Sequence, residues 1–324
     1  MIKTRLSKRL GLKHPVIQAP MAMAAGGKLA SAVSQAGGLG MIGGAYCDPE
    51  WIESQFEVAG NSDIGCGFIT WALAKNPALL TRTLERKPKA IFLSFADPEP
   101  FVKEIKAAGS LFICQVQSLK HAEHAVDCGA DIIVAQGTEA GGHGAVRSTT
   151  VLVPEIADML VKKSPATLLC AAGGIGDGRG LAASLMLGAD GAVVGSRFWA
   201  SHEALVHQGI LNASLAATGD ETIRTNVVDI IRKLDWPSGY SCRVLNNTFT
   251  KNWHDDHTGL RKNLEAEIEN WTQALGKGDA DNASAIVGEA TGLFNDIKPA
   301  ADLLEDMISH AEKLLRQAPE LVLT

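Results

Sequence analysis

The chain has 324 residues, 46% hydrophobic and 20% charged, with a formal net charge of −6, enough for one large α/β domain plus a smaller attachment. An acidic balance without a basic stripe interleaved with aromatics argues against a nucleic-acid partner, and no stretch approaches the length of a membrane span. The basic start, residues 1–15, lacks a following apolar run with a small-residue cleavage site and so is not read as a secretory signal. The six cysteines, Cys47, Cys66, Cys114, Cys128, Cys170 and Cys242, show no C-x-x-C spacing. They are expected to be free thiols in a reducing, cytoplasmic compartment.

In chain order, Leu6, Leu10 and Leu12 read as an opening helix. Residues 14–21 form a first strand ending in a proline-stopped loop, residues 29–35 a helix closed by Ala36-Gly37-Gly38, and residues 39–42 a second strand. Further strands are expected at 64–69, 90–95, 111–115, 131–135, 167–172 and 190–194, with helix-like segments between them. Most are continuous apolar runs, as parallel strands covered by helices should be. Eight strands alternating with helices predict a (β/α)8 TIM barrel, although an open doubly wound sheet has the same local pattern. Residues 204–275 lose this rhythm and read as helices, including 263–275. An amphipathic stretch over 299–316 is placed to return to the barrel. The expected division is a barrel over 1–203, a smaller helical lid inserted after strand eight over 204–297, and a returning helix over 298–324.

Two glycine loops sit on the last two strands. Thr167–Ala172 breaks into Gly173-Gly174-Ile175-Gly176-Asp177-Gly178-Arg179-Gly180, and the run ending at Val194 stops at Gly195-Ser196. Glycine lets backbone N–H groups crowd an anion, and phosphates in this barrel commonly sit on the loops after strands seven and eight. A dinucleotide fingerprint fits poorly because Arg179 stands where a third glycine or alanine is needed. Plain tight turns are the remaining alternative.

The loop after strand six runs Gln136-Gly137-Thr138-Glu139-Ala140-Gly141-Gly142-His143-Gly144. Glycines flanking His143 leave it little neighbouring side chain to pack on, so the imidazole is expected to face the barrel mouth as a base or anion partner. The alternative is a loop histidine satisfied by backbone carbonyls. His121 with His124, and His254 with His257, could meet on helix faces, but no third ligand is visible and no metal is expected. His14 reads as structural. Gln18, Met21, Thr70, Gln115 and Gln136 fall at strand ends, and several amides converging there suit a flat polar cofactor carrying a phosphate, such as FMN.

With these residues in hand, the chain resembles the nitronate monooxygenase (2-nitropropane dioxygenase) family, whose close relatives include flavin-dependent enoyl-acyl-carrier-protein reductases. The resemblance rests on Gln18-Ala19-Pro20-Met21, Ala36-Gly37-Gly38-Leu39-Gly40, Gly67-Phe68-Ile69-Thr70-Trp71, Glu139 to Gly144, Ala172-Gly173-Gly174-Ile175 with Asp177-Gly178-Arg179, and Gly195-Ser196-Arg197-Phe198, with a fainter echo at Gly288-Glu289-Ala290. It implies an FMN-dependent oxidation of alkyl nitronates or nitroalkanes by O2. Ala19, Pro20 and Met21 would lie under the isoalloxazine, and Thr70, Gln115 and Gln136 would contact the ring or ribityl chain. Gly173, Gly174, Gly195 and Ser196 would bind phosphate, Gly141, Gly142 and Ala172 would also contact the cofactor, and His143 would be the base or anion-positioning group. Some family members carry asparagine, lysine and aspartate where Thr70, Gln115 and Gln136 stand. The expected partners are a small nitronate or nitroalkane and O2, with a homodimer as the candidate assembly. An NAD(P)H-dependent reductase of enoyl thioesters or quinones and a non-catalytic FMN-binding barrel are the competing readings.

Overall fold

The structure is a computed structural model that describes residues 2–46 and 48–322. Eight parallel strands form the barrel: β1 Val16–Gln18, β2 Met41–Ala45, β3 Gly65–Ile69, β4 Ala90–Ser94, β5 Leu111–Val116, β6 Ile132–Gln136, β7 Leu168–Ala172 and β8 Gly191–Val194. They pair in the order β1-β8-β7-β6-β5-β4-β3-β2. The seam between β1 and β2 closes just before β2, where Leu39 bridges Ile17 in parallel, donates its N–H to Val16 O (3.0 Å) and accepts from Gln18 N (2.9 Å). The strand expected at 39–42 therefore starts late. At Gly40 a Cβ would sit 1.8 Å from Ala30 O, so the backbone of helix Gly27–Gln35 lies directly against it.

The apolar runs split by the two-residue period of a strand. Ile17, Met41, Phe92, Ile113, Val134 and Cys170 gather in one cluster with Leu6 and Leu10 from the opening helix Arg5–Leu10. Val16, Ile42, Ile91, Phe112, Ile133 and Ala171 gather in the larger cluster with the surrounding helices. Burial on both faces explains why these strands read as unbroken hydrophobic stretches. Two residues beyond Ile113 and Val134, on the same face, stand Gln115 and Gln136, so the inward face turns polar at the carboxyl ends.

The segment after β8 is not all helical, which corrects the reading of 204–275. Strands Thr222–Thr225 and Ser241–Leu245 pair antiparallel, and the second also pairs antiparallel with Gly142–Gly144 from the β6 loop. Local pattern hides them because the ladder partner lies far back in the sequence and Arg224 and Arg243 interrupt the apolar signal. Helix Leu264–Lys277 runs two residues past the expected 263–275 and is capped by Gly278 at a φ of 70°, the left-handed region that glycine tolerates. The chain rejoins the barrel where Ser201 bridges Lys298. Helix Ala300–Gln317 then buries Leu303, Leu304, Met307, Ile308 and Ala311 against helices Gly178–Met186 and Gly27–Gln35.

Cys114, Cys170 and Cys242 are buried free thiols and Cys128 is half-buried, while Cys66 is buried in β3 and Cys47 lies outside the described residues. Burial pushes the Cys114 and Cys242 thiols up to about 12, which makes them inert at neutral pH. Among the described residues no helix is long and apolar enough to cross a membrane.

Candidate active site

The polar ends of β5 and β6 are knitted together. Gln136 Oε1 accepts from Gln115 Nε2 (3.1 Å) and from Gln117 Nε2 (3.0 Å), and Gln136 Nε2 donates to His143 O (3.1 Å). Gln136 thereby ties a strand end to the backbone of the histidine. Gln18 departs from the expectation that it faces a ligand: it is fully buried, its Oε1 accepts from Met41 N (3.0 Å), and its Nε2 donates to Ala19 O. It fastens the β1–β2 seam instead. Thr70 opens the short helix Thr70–Leu73 after β3, and its Oγ1 is buried without a partner. Pro20 seats on Gly67, where a Cβ would come within 2.3 Å of the proline ring. A Cβ on Gly195 would instead meet Ala19 Cβ at 3.7 Å and Met21 Sδ at 3.8 Å, ordinary contacts without a clash.

The loops after β6, β7 and β8 form a glycine-lined cradle. Gly173 and Gly174 adopt φ of 103° and 72°, the left-handed region that excludes most side chains. Ala172 is buried at the end of β7, and its carbonyl accepts from Gly137 N (2.9 Å). Glu139 accepts from Thr149 N (3.1 Å) and Oγ1 (2.8 Å), so its carboxylate holds the first turn of helix Thr149–Lys163. Ser196 Oγ accepts from Gly288 N (2.9 Å), and Gly288 abuts Gly141 so closely that a Cβ on Gly141 would lie 2.5 Å from Gly288 N. The echo at 288–290 is therefore a wall of the same cradle. Gly142 carries a φ of 77° and leads into His143.

His143 is not the sparsely packed loop residue expected from its glycine neighbours. It lies on strand Gly142–Gly144, opposite Cys242. Its Nε2 is 2.8 Å from Asp229 Oδ1, with both side chains buried. The imidazole stacks on Trp236 with centroids 3.4 Å apart and planes 6° apart, and the Phe95 ring meets it edge-on at 6.3 Å. The flanking glycines strip packing partners only from its own loop; the inserted segment supplies others. Burial holds the imidazole below its ordinary pKa while the Asp229 hydrogen bond and charge pull it back up. A neutral imidazole donating Nε2–H to Asp229 leaves the lone pair on Nδ1.

Two arginines clamp the histidine loop. Arg224 donates from Nε to Thr138 Oγ1 (2.9 Å) and from Nη1 to Ser241 O (2.7 Å), and Arg243 donates from Nε to Thr138 O (2.9 Å) while its Nη2 pairs with Glu289 (2.9 Å). Burial, with the Arg243 charge adding to it, lowers the Arg224 guanidinium to about 10. Above the imidazole, Trp236 Nε1 donates to Tyr46 Oη (3.1 Å), and Trp71, Phe95 and Tyr240 pack edge-on around the indole. Arg232 lies 4.9 Å over the Tyr46 ring.

Sequence reasoning missed Asp229, Trp236, Gln117 and the arginine pair. Asp229 left one signal, a single carboxylate inside the apolar run Val227-Val228-Asp229-Ile230-Ile231, where an acid stays buried only with a partner. Trp236 left a weaker one, the aromatic-bounded turn Trp236-Pro237-Ser238-Gly239-Tyr240.

Comparison with known proteins places this geometry. The family profile described as nitronate monooxygenase matches residues 3–60 and 71–310; the interval between, holding β3 and Thr70, falls outside the match. A nitronate monooxygenase from Neurospora crassa is 31% identical, covering 94% of this chain and 91% of the relative. The nitronate monooxygenase npaC of Metarhizium robertsii is 34% identical over 97% of this chain and 96% of the relative. Among solved structures, FabK from Thermotoga maritima superposes with a TM-score of 0.87 at 28% identity, covering 99% of this chain and 100% of that one. Because the profile runs through the barrel, the glycine cradle, His143 and the inserted segment that supplies Asp229, the chain belongs to the nitronate monooxygenase family and is an oxidoreductase of that type.

Proposed function

We propose that this enzyme binds FMN and oxidises alkyl nitronates with O2 to carbonyl compounds and nitrite, with nitroalkanes as further substrates. The observation that carries the reading is His143, buried on the strand that continues the β6 glycine loop and held by Asp229, with burial keeping its pKa below the ordinary value. The residues present fit the cofactor. Thr70 offers a buried hydroxyl without a protein partner, Gly195 lies beside Ala19 and Met21, and Gly173 and Gly174 turn consecutive peptides through the left-handed region. Ala19, Pro20, Met21, Thr70, Gln115 and Gln136 would hold the ring and ribityl chain. Gly141, Gly142, Ala172, Gly173, Gly174, Gly195 and Ser196 would hold the phosphate end. Bound FMN supplies the electron acceptor and the site of reaction with O2.

The protein's own part is proton handling and exclusion of water. His143 takes the proton from the carbon bearing the nitro group at Nδ1, and Asp229 stabilises the imidazolium that results. A substrate that arrives already ionised needs no proton removed, and an imidazole that has taken a proton from solvent at Nδ1 would hold its nitronate oxygens. Trp236 covers one face of the imidazole, and its segment, within residues 204–297, serves as the lid over the barrel of residues 1–203. The likeness to FabK supports a second reading, NAD(P)H-dependent reduction of enoyl thioesters or quinones.

The test is the visible absorption spectrum of the purified protein, recorded anaerobically before and after addition of an alkyl nitronate. Bleaching of oxidised-flavin bands is the expected result. Bands that respond only to NADH or NADPH would replace the oxidase reading with the reductase. A protein that shows no flavin band even after added FMN would overturn the assignment of the cradle.

A further inference from the structure

The pair His121 and His124, set aside in the sequence for want of a third ligand, acquires partners in the fold through one of its members. Helix Leu119–Asp127 brings His124 against Asp97 from the loop after β4, with Nε2 to Oδ1 at 2.7 Å. Cys128, one residue past the helix end, places Sγ 3.6 Å from the same Nε2. The three ligand atoms lie within 4.8 Å of one another. A tetrahedral ion with bonds of about 2.3 Å to sulfur and about 2.05 Å to nitrogen sets those ligands about 3.6 Å apart. The observed Cys128–His124 separation already has that value, and the Asp97–His124 contact needs to open by less than about 1 Å to match the corresponding oxygen–nitrogen edge.

We propose that Asp97, His124 and Cys128 form a binding site for one borderline-soft divalent cation of the Zn²⁺ type, with the fourth tetrahedral position open to water. A thiolate with an imidazole selects such an ion over Mg²⁺ or Ca²⁺, which prefer all-oxygen shells. On binding, Cys128 releases its thiol proton to solvent, and His124 exchanges its contact with Asp97 for coordination through Nε2. Asp97 also accepts from Glu99 N (3.1 Å), which orients the carboxylate. The site lies apart from the glycine cradle but is joined to the active site by two residues. Phe95 and Ala96, at φ of 63° and 147°, connect it to β4, and the Phe95 ring packs on Trp236 at 5.0 Å and on His143 at 6.3 Å. An ion at Asp97 would brace the strained loop that carries this aromatic contact.

The experiment uses the full chain as purified, titrated with Co²⁺ and then with Zn²⁺ in competition with a chromophoric chelator. The expected result is one Co²⁺ per chain with a sulfur-to-cobalt charge-transfer band, displaced by Zn²⁺. Cys128→Ser should remove the band, and Cys128→Ser, His124→Ala and Asp97→Asn should each weaken Zn²⁺ binding by about tenfold or more. All three positions are partly or fully exposed, so melting curves without metal should match the parent. Zn²⁺ should raise the melting temperature of the parent more than that of Cys128→Ser. A cobalt complex without a thiolate band, or equal Zn²⁺ affinity in the parent and all three variants, would overturn the proposal.

Discussion

Replacing Asp229 with asparagine separates positioning of His143 from its presence. The carboxylate accepts from Nε2 at 2.8 Å with both side chains nearly inaccessible, 8% and 5% exposed, so solvent screens the pair little. A hydrogen bond to a charged group contributes about 1.5–3 kcal/mol and a neutral one about 0.5–1.5 kcal/mol. Asparagine can still accept from Nε2–H through its carbonyl, so the loss is the difference, about 1–1.5 kcal/mol, or roughly tenfold in rate. That loss falls on proton abstraction. Asp229→Asn should therefore lower kcat/KM for a neutral nitroalkane about tenfold while changing turnover of the preformed nitronate less. The pH profile gives the independent readout. Asp229 is what raises the His143 pKa against burial, so removing its charge should move the acidic limb for nitroalkane turnover to lower pH. Equal losses on both substrates with an unmoved limb would refute the base assignment and leave Asp229 a packing residue.

Trp236→Ala should uncover the face of the imidazole that the indole now stacks on, shifting the ratio of kcat/KM values toward longer-chain nitronates in a series; an unchanged ratio would show that the indole does not border the substrate. Gly67→Ala would drive a methyl to within 2.3 Å of Pro20, and overpacking of this kind costs about 1–3 kcal/mol, to be read by urea denaturation together with weakened retention of flavin. Gln18→Leu should leave Met41 N–H buried without its acceptor, costing about 1–3 kcal/mol of stability without altering cofactor affinity. His14, His121 and His143 all sit below their ordinary pKa, burial being the first cause in each. The unfolded chain then binds more protons as pH falls from about 6.5, so stability should decline from there toward the lower folded-state values and not recover. Urea midpoints that rise between about pH 7 and pH 5.5 would contradict that sign.

The barrel was legible in the sequence because each strand and helix declares itself over a few residues, and eight alternations leave few architectures. The turn after β7 was legible for a related reason: Gly173 and Gly174 adopt backbone angles that few other residues tolerate, so chemical identity there reports local conformation. What the linear chain could not show is which distant segments meet. Strand Ser241–Leu245 exists as a ladder partner of Gly142–Gly144, and no short window contains both halves of that pairing. His143 and Gln18 make the point in opposite directions. The histidine was expected in an open loop, and the fold buried it between Asp229 and Trp236. The glutamine was expected to face a ligand, and the fold used it on a backbone N–H at the barrel seam. The sequence determined the scaffold and the residue types offered at its mouth, because these follow from local backbone preference and period. Tertiary structure alone decided the pairing of His143 with Asp229, its stacking on Trp236 and the meeting of Asp97 with His124 and Cys128, because each joins separate elements of the chain.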